Sequence, residues 1–83
     1  MITEMPLKFA VGATIRKLRQ ERHLKLASLS LTSHVSVPHI SDIERGATSA
    51  GFDIIQAIAG GLELTTTELV EEIYKYLKEE VND

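Results

Sequence analysis

The sequence predicts an all-α domain of five helices, and three observations carry that expectation. Apolar residues recur three and four apart along most of the chain, which is the period of a helix face. Two helix starts are explicit: Ser36 with Pro38 just behind it, and Thr65-Thr66-Thr67-Glu68. The first is a hydroxyl cap followed by a proline in the first turn, the second a capping box. Finally, 83 residues make one small domain. Such a chain buries only about 60% of its unfolded surface, and self-association is a common remedy.

The elements follow in order. Residues 1–6 have no periodicity and are expected as a flexible arm, with residues 7–83 forming the single domain. Helix one should run from Leu7 to Arg22. Phe9 or Ala10, Ala13 or Thr14, and Leu18 trace its inner face, strengthened by Val11 and Ile15. The second helix falls between Leu24 and His34, with Leu26, Ala27, Leu29 and Leu31 apolar. Ser30 is small enough for another helix to come close, and His34 marks a tight turn.

The third helix occupies Val35 to Gly46. Ser36 caps it, Pro38 lacks an N–H where none is needed, and Ile40 and Ile43 share a face. Gly46 supplies the left-handed residue that ends a helix. Val37, Pro38, His39, Ser41, Asp42 and Arg45 are left facing outward, which suits a surface that reads a partner better than a core.

Ala47 to Gly51 is a small-residue loop. Phe52, Ile55, Ile58, Ala59 and Leu62 repeat at helical spacing and are expected as the core face of helix four. Gly51 is an acceptable cap without a side-chain acceptor, and Asp53 suits the helix dipole. Gly60-Gly61 should weaken this helix by about 1 kcal/mol per glycine. No GKS or GxGxxG context makes the doublet a phosphate loop. Helix five should span 66–80. Leu69, Ile73 and Tyr76 form one line; Val70, Tyr74, Leu77 and Val81 form a second. One line docks the helix. The second is expected to meet another copy of the chain.

Composition narrows the function. There is no cysteine, hence no disulfide, thiolate zinc site or cysteine nucleophile. No stretch approaches the roughly 20 apolar residues of a membrane span, and no basic-then-apolar leader opens the chain. The expected location is cytoplasmic and nucleoid-associated, with no membrane partner. The three histidines fall in turns and on the outward face of helix three, with no helical i, i+4 pair. No metal and no cofactor are therefore expected. Paired carboxylates in a cleft signature and a Ser/His/Asp order are also missing, so no enzyme is expected. The net charge is −3 but unevenly spread. Residues 1–50 carry a net +3 and residues 51–83 a net −6, so a phosphate-binding face can point away from an acidic one.

A helix, a short turn, and a short helix capped by Ser and closed by Gly form the helix-turn-helix arrangement. From Arg16 to Glu44, and more loosely to Leu69, the chain resembles the Cro/CI-type (XRE-like) helix-turn-helix regulators of bacteria and phages. Val35-Ser36-Val37-Pro38-His39-Ile40-Ser41-Asp42-Ile43-Glu44-Arg45-Gly46 is the most specific part; Gly12, Ile15, Arg16, Leu18, Arg19, Ile55, Ile58, Ala59, Leu62 and Leu69 also fit. The resemblance implies a five-helix lambda-repressor-like domain. It implies base reading by Val37, Pro38 and Asp42, with Ser36, His39 and Ser41 nearby. Phosphate contacts would come from Arg16, Arg45 and the backbone at Thr48, Gly51 and Phe52. It also implies an ion pair between Arg19 and Glu44. The chain departs from the family at His23 and His34, which replace glycines, at Lys25, which replaces a Ser or Thr cap, and at Leu26, which replaces a phosphate-contacting Gln.

The expected function is a sequence-specific regulator of transcription that binds double-stranded DNA as a homodimer on an inverted repeat. The alternative is an antitoxin or adaptor that holds another protein through helix five or through the outward face of helix three.

Overall fold

A computed structural model describes residues 5–81, with the side chains of Glu80 and Val81 outside the description. Five helices follow one another: α1 Leu7–Glu21, α2 Leu26–Ser33, α3 Val37–Glu44, α4 Phe52–Gly61 and α5 Thr66–Val81. No strand occurs among the described residues. α1 packs against α3 and α5, α2 against α3 and α4, and α4 against α5. Ile15, Leu29, Ile40, Ile43, Ile58, Leu62 and Leu69 are fully buried at the centre, so every helix contributes to one core.

Local chemistry accounts for the boundaries. The amide of His39 donates to Ser36 Oγ at 3.3 Å, and Pro38 lies in the first turn of α3. Thr65 and Glu68 bond reciprocally: Glu68 N to Thr65 Oγ1 at 3.1 Å, and Thr65 N to Glu68 Oε1 at 2.8 Å. Pro6 caps α1, its carbonyl accepting from Phe9 N at 3.0 Å, and Met5 packs against the core. The domain thus begins inside the stretch expected as an arm; residues 1–4 lie outside the described residues.

Left-handed residues turn the chain between helices: among the described residues these are His23, His34, Gly46 and Glu63, at φ 55°, 61°, 71° and 61°. Glu63 is the unexpected one. The glycine doublet lies just before it, inside α4, where Gly61 serves a different need. A Cβ on Gly61 would lie 2.8 Å from Leu29 Cδ1 and 3.2 Å from Ser33 Cβ, so the close approach of α2 and α4 falls at Ser33 and Gly61 rather than at Ser30.

Burial corrects three other expectations. Phe52 is 83% exposed, because it is the first residue of α4 and stands beyond the edge of the core that Ile55 enters. Leu31 is 78% exposed and Ala27 is exposed, leaving Leu29 as the buried apolar anchor of α2. On α5, Leu77 is a core residue and not part of an outward stripe. A four-residue step in a helix rotates only about 40° beyond a full turn. Leu69, Ile73 and Leu77 therefore stay on one buried line, with Tyr76 half-buried beside it. Val70 is half-buried and Tyr74 56% exposed, while the side chain of Val81 lies outside the described residues.

Candidate nucleic-acid interface

α3 is held from behind at two places. Its back crosses α1 at Gly12, where a Cβ would stand 2.1 Å from the carbonyl oxygen of Ile43. Only a hydrogen fits there, so the glycine sets how deeply α3 beds into α1. At the C-terminal end, Arg19 Nε donates to Glu44 Oε2 at 2.7 Å and Nη2 to Oε1 at 3.0 Å, while Nη1 donates to the Leu24 carbonyl at 2.8 Å. One guanidinium thus joins α1, the loop before α2 and the end of α3 in a two-pronged geometry. Both side chains are largely buried. Hydrogen bonding to Glu44 raises the pKa of Arg19 above its already high value.

The turn into α3 is similarly set. His34 takes the left-handed conformation, and Val35 beyond it is buried with its amide donating to Ser33 Oγ at 3.2 Å. Ile40 and Ile43 then face the core.

The opposite face of α3 is open. Ser36 and Pro38 are exposed or nearly so along its first turn, and His39, Ser41 and Asp42 continue the same surface. Arg45, the C-cap residue, turns back so that its Nη2 meets Asp42 Oδ1. The family pattern sends Arg45 to phosphate and Asp42 to a base; here they face each other. Arg16 is exposed on α1 and shares an open cleft with Lys17, Gln20 and Glu44 beside the end of α3. Thr48 and Gly51 lie in the loop that leads into α4, with Gly51 exposed. No side chain caps α4, so its first amides are free to meet an anion.

Sequence reasoning missed Arg22, whose Nε donates to the Leu62 carbonyl at 3.0 Å and Nη1 to the Leu18 carbonyl at 3.2 Å, tying the ends of α1 and α4 together. Its distance along the chain from Leu62 hid that role. The apolar cleft on the other flank was also hidden. Leu7, Val11, Phe52, Ile55, Val70 and Tyr74 line about 280 Å³ between α1, α4 and α5. Among the described residues, no group of His, Asp and Glu could hold a metal ion, and no helix is long and apolar enough to cross a membrane.

Residues 15–69 match the helix-turn-helix family. The chain is similar to the HTH-type transcriptional regulator DdrOP3 of Deinococcus deserti, 37% identical over 62 residues that cover 75% of this chain and 48% of that protein. It is also similar to the immunity repressor protein of Bacillus phage phi105, 31% identical over 62 residues, covering 75% of this chain and 43% of that one. The chain spans about half the length of the curated relatives it matches. Among solved structures, the restriction-modification controller protein C.Esp1396I, a tetramer in complex with its natural 35 base-pair operator, superposes with a TM-score of 0.81. It is 27% identical, with 89% of this chain and 97% of that one covered. The clp gene regulator ClgR from C. glutamicum gives 0.79 at 25% identity, covering 87% and 94%. With a capped, outward-facing third helix clamped to α1 and a match across the whole helix-turn-helix, the chain belongs to the Cro/CI-type (XRE-like) helix-turn-helix family of transcriptional regulators.

Proposed function

We propose that this protein binds double-stranded DNA sequence-specifically, as a homodimer on an inverted-repeat operator, and so regulates transcription. The observation that supports it most is α3 itself. The helix is fixed from behind at Gly12 and at Glu44, and offers Ser36, Val37, Pro38, His39, Ser41 and Asp42 outward. A short helix seated in that way, with its outer face open, can enter the major groove. Val37 and Pro38 would meet a thymine methyl, and Asp42 the amino group of cytosine. Arg16 and the amides at Thr48, Gly51 and Phe52 would hold phosphates and set the register.

The dimer would form on the apolar flank. Leu7, Phe52 and Tyr74 are exposed around the half-buried Val70. Such a patch is a cost in water, and a two-fold axis would bury it against itself. The pairing would set two copies of α3 about one DNA turn apart, near 34 Å.

Selection of bound sites from random duplex DNA tests the reading directly. The expected result is a site with two inverted half-sites. Val37→Ala should change the selected sequence, whereas Arg16→Ala should weaken all sequences and lower the salt slope by about one. Val70→Lys with Tyr74→Lys should give a folded monomer by sedimentation, with operator binding greatly weakened. Recovery of no preferred sequence would sink the DNA reading; a monomeric wild-type chain would sink the dimer.

A further inference from the structure

Asp42 is an awkward residue to carry into a groove lined by phosphates. Glu44 is turned inward onto Arg19, so Asp42 is the carboxylate that α3 presents outward. The structure places a cation against it. Arg45 lies three residues on, one turn along the same face, and its Nη2 meets Asp42 Oδ1. The side chains remain 61% exposed at Arg45 and 48% at Asp42, so the pair adds little to folding. Its position over the outward face is what matters.

Resting on the DNA reading above, we infer that Asp42 and Arg45 act as one unit: Asp42 selects the base, and Arg45 works by screening the Asp42 carboxylate from the DNA backbone. Asp42 accepts from the amino group of cytosine and disfavours bases that offer an acceptor in its place. Left bare, the same carboxylate would face phosphates whatever the sequence, and like charges set close together are strongly unfavourable. Arg45 neutralises it from within the protein. The screening cation moves with the helix and leaves the second Asp42 oxygen available to the base. The role of Arg45 in binding therefore depends on the charge of residue 42, which sets it apart from an independent phosphate contact such as that expected of Arg16.

A double-mutant cycle on the selected operator and on a scrambled duplex, read across a salt series, tests this. Wild type, Asp42→Asn, Arg45→Ala and the double variant are compared, with a thermal melt confirming that each is folded. In the wild-type background, Arg45→Ala should lower operator affinity about tenfold or more. In the Asp42→Asn background it should lower it about twofold or less, because no carboxylate remains to screen. Asp42→Asn alone should raise affinity for the scrambled duplex and relax the preference for cytosine. Losses that agree within about threefold in the two backgrounds would overturn the inference. A salt slope lower by about one in both would then identify Arg45 as a phosphate contact in its own right. If the wild-type protein binds neither duplex, the DNA reading itself falls, and this inference with it.

Discussion

Glu44 and Arg45 are neighbours in the chain, and each enters an ion pair from the end of α3, yet the two pairs belong to different physical regimes. Glu44 points inward to Arg19, with two hydrogen bonds and the Leu24 carbonyl completing the guanidinium's partners. Water is largely excluded, so losing either member strands the other. Arg45 points outward to Asp42, where water can replace either partner at little cost. The inner pair fixes the pose of the helix. The outer pair can respond to what the helix meets. Chemically similar contacts thus divide by burial into one that holds the helix and one left open on its outer face.

The largest effect expected from breaking this contrast is on the inner pair. Glu44→Ala should lower stability by about 3 kcal/mol, since an uncompensated cation remains in a largely buried site. Asp42→Ala should stay within about 0.5 kcal/mol. Urea denaturation of both proteins makes the comparison, and equal midpoints would abolish it.

Next comes the crossing that beds α3 into α1. Gly12→Ala drives a methyl group into the Ile43 carbonyl, a backbone atom that cannot swing aside. A loss of about 2 kcal/mol or more is expected, with operator affinity falling because the helix is displaced. Unchanged melting and binding would show that α1 and α3 can separate freely.

The glycine doublet repeats the inner and outer contrast within one residue type. Gly60 is exposed, and a methyl group added there would have no neighbour within 4 Å, whereas Gly61 faces Leu29, Thr32 and Ser33 of α2. Gly60→Ala should raise stability by about 0.5–1 kcal/mol through helix propensity. Gly61→Ala should lower it by about 1 kcal/mol, as the α2 side chains must give way. Calorimetry that finds the same sign for both would contradict the packing.

The smallest effect concerns Glu68. The Thr65 amide, donating to its carboxylate, holds its pKa below the ordinary value, with the Thr65 hydroxyl contributing. A carboxylate depressed in the folded state stabilises above its unfolded pKa, and that contribution fades as pH falls through the folded one. Stability should therefore decline slightly on acidification through the carboxylate range. The decline should be shallower in Glu68→Gln, as measured by thermal melts across pH.

Much of this molecule is legible from short-range chemistry. Ser36, Pro38 and Gly46 bound α3, and Thr65 with Glu68 starts α5, because caps act within one turn and need no distant partner. Ile40 and Ile43 point inward for the same reason, since helical period alone puts them on one face. The fit to a family pattern added the pairing of Arg19 with Glu44, which residue spacing could not supply. The tertiary structure alone decided where the core ends. Phe52 and Leu31 are as apolar as Ile55 and Leu29, but they stand outside the packed core and stay exposed. Leu77 went inside because the neighbours of α5, chiefly α1 and α4, receive its buried line along to this turn. The left-handed turn falls on Glu63, past the C-cap Leu62, while both glycines stay inside α4 and Gly61 gives α2 room to approach. A sequence specifies which side of each helix is apolar. How wide a strip of that side is buried depends on the neighbours packed against it, and that information is spread over the whole chain.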